Sequence, residues 1–361
     1  MRTTLNLARV GFVGTGWPDR VQIQAFRNAG LVPQGICSGQ IRNAKRIAEK
    51  HNIPEIYDSW EALICSETID LVSIATPTWL HHKIAIAALK AGKHVVCEAP
   101  TLTVEEAKEM SEVAKAHPNQ LALIDYELRY TPQRQKMHQL IDSGKLGTLI
   151  SIQLNYLFDW NLDSTLFWNW ENDLESGGGV LNLVGGHLLD QTRWFCGSIE
   201  KLTAQFLTVY DSRTVESSNG KKAVTGDDQV TILLQSKNGV RGILTASAVH
   251  PDKNSSGLTA MIHASEGGLM IDKNEELWQF DKNGNPQQEI IADSSRKMVP
   301  QEVQSAFAYG TYHFANELKR VLVEGEKPSP DFATFYDGLI AQKAIEAARR
   351  SAKNASWEYV E

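Results

Sequence analysis

Long apolar runs are missing from this chain. The longest, such as Leu71–Ala75, fall far short of the roughly 20 residues that one bilayer-spanning helix needs, so no membrane partner is expected. Met1–Ala8 carries one Arg and no apolar segment, which argues against a secretory leader. Cysteine is scarce: Cys37, Cys65, Cys97 and Cys196 are scattered, with no CxxC among them. That spacing excludes a disulfide or zinc framework and reads as buried free thiols in a reducing, cytoplasmic compartment. His81-His82, Asp125 and His138 show no metal-ligand spacing either, so no metal is expected. A long basic block is also absent. Lys plus Arg number 36 against 43 Asp plus Glu, a net charge of −7, which speaks against a nucleic-acid partner. There is no internal repeat and no low-complexity linker.

What remains is the composition of a folded protein. Hydrophobic residues make up 42% and charged residues 22%, too apolar and too weakly charged for a mainly disordered chain. At 361 residues the chain exceeds a single core of about 100–200 residues, so two domains are expected, 1–125 and 126–361. In the first, strand-like runs (Arg9–Val13, Leu31–Cys37, Leu71–Ala75, His94–Cys97, Gln120–Ile124) alternate with helical stretches (Val21–Asn28, Asn43–His51, Asp58–Leu63, His81–Ala91, Val104–Ala116). Continuous apolar strands between helices imply a doubly wound parallel sheet covered on both faces. After about Gly147 the pattern changes to strands joined by turn signals such as Asn238-Gly239, which reads as an antiparallel meander. The polar stretch Asp211–Gly226 reads as an exposed loop, and two amphipathic helices follow from about Val303. The fold class is therefore α/β, a doubly wound domain followed by an α+β domain with a large, mostly antiparallel open sheet.

One turn carries a chemical expectation. Gly11-Phe-Val-Gly14-Thr15-Gly16-Trp17-Pro18-Asp19 follows the first strand and precedes the first helix. In that context Gly14 permits a tight turn, and Gly16 lets a pyrophosphate reach the backbone and the helix N-terminus. Pro18 suits a first helical turn. The third glycine of GxGxxG is replaced by Asp19, which complements the helix dipole but also competes with a phosphate. The second strand ends at Ser38, where a carboxylate for a ribose 2′-hydroxyl is usual, and Arg42 follows. A hydroxyl and a guanidinium suit a 2′-phosphate, so NADP(H) is expected over NAD(H).

Several segments together resemble the Gfo/Idh/MocA oxidoreductases, the glucose–fructose oxidoreductase and inositol dehydrogenase group. They are the glycine turn, Ala75-Thr-Pro-Thr-Trp-Leu-His81, Gly92-Lys-His-Val-Val-Cys-Glu98-Ala-Pro100 and Glu127-Leu-Arg129-Tyr-Thr-Pro132. Leu140-Ile-Asp-Ser-Gly-Lys-Leu-Gly147, Gly177-Gly-Gly179 and Gly185-Gly-His187-Leu-Leu-Asp190 continue the match in order along almost the whole chain. The resemblance implies a Rossmann domain, a substrate-binding second domain and hydride transfer between a nicotinamide and a small sugar-like substrate. Carried over by position, it implies Gly14, Thr15, Gly16, Trp17 and Pro18 at the pyrophosphate, and Ser38 and Arg42 at the adenosine ribose. Ala75, Thr76, Pro77 and His81 would line the nicotinamide side, with Glu98 near its ribose and His187 facing the substrate. It also implies a homodimer or homotetramer built through the C-terminal sheet.

Two departures bear on the chemistry. Ala99 stands where the Glu-Lys-Pro motif has its lysine, and Leu183 where the Asp-x-x-x-His pair has its aspartate. Oxidising an alcohol needs a base, and reducing a carbonyl needs a donor for the developing alkoxide; alanine and leucine are neither. His187 is the remaining acid–base candidate, with Tyr126 a further proton donor. Arg129, Trp168 and Asp190 are further substrate candidates, each with a structural alternative in pairing or core packing. Two readings follow: an oxidoreductase with an altered proton relay acting on a sugar-like, carbonyl or imine substrate, or a cofactor-binding sensor of the same fold without hydride transfer.

Overall fold

The computed structural model describes residues 5–99, 101–218, 220–291 and 295–360; Pro100 of the Glu98-Ala-Pro100 segment and Met1–Thr4 of the N-terminal stretch lie outside them. The chain divides into two compact units. One comprises 1–131 and 293–339, the other 132–292 and 340–361.

In the first unit six strands form one sheet: β1 (Arg9–Val13), β2 (Val32–Cys37), β3 (Glu55–Tyr57), β4 (Leu71–Ile74), β5 (His94–Cys97) and β6 (Ala122–Ile124). All pairs are parallel, in the order β3-β2-β1-β4-β5-β6. This is the doubly wound arrangement, with its switch point between β1 and β4. The intervening helices are α1 (Ile23–Ala29), α2 (Ile41–His51), α3 (Trp60–Cys65), α4 (His81–Lys90) and α5 (Val104–Ala116). Ser59 caps α3 by accepting from Ala62 N, and Gly92, at φ +80°, follows α4 as its composition predicts. β3 is too short and half-exposed to carry a sequence signal.

The second unit begins with α6 (Pro132–Asp142) and β7 (Leu149–Leu157), then α7 (Gly186–Cys196) and β8 (Ile199–Leu207). The meander continues through β9 (Ser212–Thr214), β10 (Lys221–Ala223), β11 (Gln229–Ser236), β12 (Arg241–Ser247), β13 (Gly257–Ala264), β14 (Gly267–Ile271), β15 (Leu277–Asp281) and β16 (Pro286–Glu289). After α8 (Ala306–Leu322) and α9 (Phe335–Asn354), β17 (Glu358–Tyr359) closes the nine-stranded sheet at β8. Its order is β16-β15-β14-β13-β7-β12-β11-β8-β17, antiparallel except for the central β7–β12 pair. A pure meander would have no parallel pair; β7 enters the middle of the sheet and the later strands add on both sides of it.

Two sequence expectations are corrected here. Asp211–Gly226 is not simply a loop: β9 and β10 pair within it, and Arg213 is buried, bonding the carbonyls of Asn161 and Asp163. Cys65 is exposed, whereas Cys37, Cys97 and Cys196 are buried; all four are free. The segment containing α8 belongs with the first unit, because Phe314 and Leu318 share a core with Phe26, Tyr130 and Phe332. A chain that leaves a core and returns to it gives no local signal of doing so.

Candidate functional site

The phosphate turn is built by close approach. Gly14 sits at φ +114°, and a Cβ there would lie 2.0 Å from the Ala75 carbonyl oxygen. Its N–H donates to Cys37 O at 3.1 Å, so it is held where the ends of β1, β2 and β4 meet. Gly16 is the opposite case: a Cβ would meet nothing within 4 Å, and the residue is exposed. Thr15 N and Gly16 N make no backbone hydrogen bond among the described residues. The turn therefore presents donors to open space, as an anion cradle requires. Trp17 Nε1 and Thr76 Oγ1 beside it are buried and have no hydrogen-bond partner among the described residues. A buried polar atom left in this way calls for an explanation, and beside an open glycine turn a bound ligand would supply the partner. On these grounds the residues fit a dinucleotide.

Asp19 does not face that cradle. Its carboxylate bonds Lys50 at 2.7 Å, His51 at 2.8 Å and Arg46 at 3.3 Å, all on α2. Burial pushes the carboxyl up, but the bonds from Lys50, His51 and Arg46 outweigh it and hold it below its ordinary range. The charge that replaces the third glycine is thus neutralised sideways. Pro18–Gln22 winds as a π-helical turn ahead of α1, a distortion often found at functional sites.

At the carboxyl end of β2, Ser38 Oγ accepts from Gln40 N, and the exposed Arg42 bonds Gln40 Oε1 at 3.1 Å. Beyond β4, the buried His81 bonds Thr76 O through Nε2 at 2.8 Å, which fixes the Ala75-Thr76-Pro77 bend. Glu98 follows β5 and Asp125 follows β6. Gln22 Nε2 donates to Glu98 Oε1 at 2.8 Å and to Asp125 Oδ2 at 3.1 Å, while Ser73 Oγ donates to Gln22 Oε1 at 2.9 Å. Burial, then the neighbouring Asp125, raises the Glu98 carboxyl well above the carboxylate range. Burial also raises Asp125, against hydrogen bonds from Gln22 and Glu98 that lower it. Glu127 is raised by burial and by these two acids.

The remaining candidates are dispersed. Tyr126 is buried and lines a narrow apolar crevice with Thr101, Met110 and Phe335. Arg129 bonds Asp337 Oδ1 and Asp331 O, each at 3.2 Å, so its guanidinium anchors the start of α9. In the second unit, Trp168 Nε1 donates to Ala223 O at 2.9 Å and Lys222 lies 3.4 Å over its ring. His187, on α7 just after a π-helical turn at Leu181–Gly185, is buried, and burial lowers its pKa to about 4. It is a neutral imidazole near neutral pH. Asp190, one turn on, is buried beside Arg193 and Ile340. Among the described residues no group of His, Cys, Asp and Glu is arranged to hold a metal ion, and no helix is long and apolar enough to cross a membrane.

Sequence reasoning missed Gln22, Ser73 and the partnership of Glu98 with Asp125. A signal existed: both acids directly follow apolar runs at the carboxyl ends of parallel strands, where such folds bind ligands. Gln22 carries no such mark, because only the fold brings it to the acids.

A doubly wound parallel domain with an open glycine turn, joined to a large mixed sheet, defines the class of two-domain dinucleotide-dependent oxidoreductases. Residues 8–124 match the NAD-binding Rossmann fold of the Gfo/Idh/MocA oxidoreductase family, and residues 134–270 match the Gfo/Idh/MocA C-terminal domain. An uncharacterized oxidoreductase of Synechocystis sp. is 31% identical over 266 residues, 73% of this chain and 71% of that protein. Levoglucosan dehydrogenase of Pseudarthrobacter phenanthrenivorans is 27% identical, across 96% of this chain and 97% of its own. A solved levoglucosan dehydrogenase in complex with NADH and L-sorbose shares the fold at TM-score 0.88 and 24% identity, covering 99% of this chain and all of that one (100%). The chain belongs to the Gfo/Idh/MocA family of oxidoreductases.

Proposed function

We propose that this protein transfers hydride between a nicotinamide cofactor and a small sugar-like, carbonyl or imine substrate, with a proton relay that uses neither a lysine at 99 nor an aspartate at 183. The observation that carries this reading is the cradle at Gly14–Trp17: a glycine locked by Ala75 O, a second opening on free space, and orphaned polar atoms at Trp17 and Thr76. When bound, the cofactor supplies or accepts the hydride. The chain's own part is to hold the pyrophosphate at Gly14, Thr15, Gly16, Trp17 and Pro18, and to line the nicotinamide side with Ala75, Thr76, Pro77, His81 and Glu98. The levoglucosan dehydrogenase relatives support a sugar as the substrate class.

Ser38 and the exposed Arg42 favour NADP(H) over NAD(H), since neither repels a 2′-phosphate and Arg42 is free to turn from Gln40 toward it. His187, Tyr126, Arg129, Trp168 and Asp190 remain substrate-side candidates. Neutral His187 suits hydrogen bonding better than charge stabilisation. The stretches 1–125 and 126–361 divide the work between cofactor binding and substrate binding, in a cytoplasmic homo-oligomer. The cross-strand pair Leu233–Ile243, exposed by 43% and 45%, gives the large sheet an apolar outer face for that assembly.

Titration calorimetry with NADP(H) and NAD(H) tests the cofactor, with NADP(H) expected to bind at least tenfold more tightly and Arg42→Ala to erase the difference. Tighter NAD(H) binding reverses the preference. A screen of NADPH oxidation against ketoses, inosose and imines, together with NADP reduction by levoglucosan, tests turnover. Binding without turnover of any class favours the sensor reading.

A further inference from the structure

Glu98 and Asp125 leave neighbouring parallel strands in register, with Cys97 opposite Ile124 and Asp125 N donating to Cys97 O at 2.8 Å. Both acids are bonded by one amide nitrogen, that of Gln22, which is itself wholly buried. The Ser73 hydroxyl, donating to Gln22 Oε1, fixes the amide so that its nitrogen faces the acids. Asp125 is fully buried, and its Oδ1 has no hydrogen-bond partner among the described residues. Two full negative charges sharing a single neutral donor inside a protein repel strongly, and one proton held between them removes that repulsion.

Their place in the fold is specific. The pyrophosphate cradle lies at β1, the ribose pair Ser38 and Arg42 at β2, and the acids at the carboxyl ends of β5 and β6, beyond the switch point. A dinucleotide crossing that crevice puts its second nucleotide over β4, β5 and β6. The charged and titratable groups around the pair come from each packed element. Arg20 reaches Glu98 from the π-helical turn. Cys97 lies on β5, and Glu127 and Tyr130 on the 3-10 turn after β6. Arg20 is the cation among them, and it is exposed, so it screens the pair without neutralising it.

We propose that Glu98 and Asp125 act as one acid–base unit that holds a single proton and exchanges it with the redox state of the nicotinamide, in the role left vacant by Ala99. This rests on the hydride-transfer reading above. In the oxidising direction the substrate C–H bond breaks and its electron pair passes with the hydrogen to the oxidised nicotinamide. The O–H bond breaks, its proton passes to the dianionic pair, and the C=O bond forms. In the reducing direction the pair's proton ends on the new hydroxyl oxygen as hydride leaves the reduced ring. The unit would therefore be deprotonated with the oxidised cofactor bound and singly protonated with the reduced cofactor bound. Gln22 is a positioning residue that ties the two carboxyls to one amide nitrogen.

Two measurements on the full-length protein test this. Calorimetry of oxidised and reduced cofactor binding at pH 7, in buffers of differing ionisation enthalpy, counts protons. The oxidised form is expected to release about one proton more than the reduced form. E98Q and D125N should each abolish that difference. Infrared spectroscopy of the cofactor-free protein should show a protonated carboxyl band at pH 7 that both variants remove. Loss of Gln22 through Q22A should split the pair and shift that band's titration. Cofactor binding with no buffer dependence in the wild type overturns the proposal while leaving the dehydrogenase reading intact, as does a wild-type spectrum with no such band. Absence of any cofactor binding overturns the dehydrogenase reading itself, and the exchange with it.

Discussion

At the scale of single residues, the two glycines of the turn after β1 differ in what surrounds them. Gly14 is required by the fold: its φ is positive and a Cβ would collide with Ala75 O. Gly14→Ala should therefore destabilise the protein by about 1–3 kcal/mol, read as a lower urea midpoint at unchanged m-value. Gly16 is not required by the fold, since a side chain there meets no protein atom; under the proposed reading that open space is the dinucleotide's. Gly16→Val should leave stability within about 0.5 kcal/mol of wild type yet weaken dinucleotide binding at least tenfold by calorimetry. Equal effects of the two substitutions on stability would contradict this division. Asp19 makes a related point. A residue that breaks a fingerprint is not thereby a defect, because Lys50 and Arg46 of α2 absorb its charge and His51 adds a hydrogen bond.

At the scale of elements, the late helix α8 matters because it underlies the acids. Gly310 faces the 3-10 turn at Glu127–Tyr130, where a Cβ would come within 2.2 Å of Glu127 O. Farther along α8, Phe314 packs against Tyr130 at a tilt, 5.0 Å between centroids, and meets Phe332 edge-on at 6.0 Å. Backbone contact and aromatic packing together set the height of the turn that carries Glu127 and Arg129. Gly310→Ala should push α8 off this turn and cost about 1–3 kcal/mol, the usual range for overpacking in a tight core. Chemical denaturation measures the loss, and hydrogen exchange should place it at α8 and the 127–130 turn. Protection unchanged in both segments would mean that the helix yields elsewhere.

At the scale of the whole molecule, buried ionisable groups in the two units act with opposite sign on stability. His187 has a folded pKa near 4 against about 6.5 when unfolded. The unfolded chain then binds the extra proton as pH falls, so stability is whole above about 6.5 and is lost progressively down to about 4. Asp125 is raised to about 7 by burial, so its contribution is whole below the unfolded carboxylate range and is lost as pH rises through 7. His187→Gln should remove only the acid-side penalty. Its stability relative to wild type should climb by about 3 kcal/mol between pH 6.5 and pH 4 and stay level above 6.5, as urea unfolding across that range would show. A difference that does not depend on pH would mean that the imidazole titrates normally.

Much of this protein is legible from local pattern. Buried parallel strands announce themselves as short apolar runs, and Gly14, Gly16, Ser38 and Arg42 can be placed by their distance from strand ends. The two-domain family architecture follows from ordered motifs along the chain. What local pattern does not carry is return and neighbourhood. Nothing near residue 310 says that α8 rejoins the first unit, nothing near β7 says that it will pair in parallel with β12, and nothing near Gln22 says that it will hold Glu98 to Asp125. Periodicity and turn chemistry act over a few residues, so they are enough to set the elements and the glycine turn after β1. Contacts such as Gln22 to Asp125, 103 residues apart, exist only once the sheet has assembled, and they decided which acids stand together where the lysine is missing.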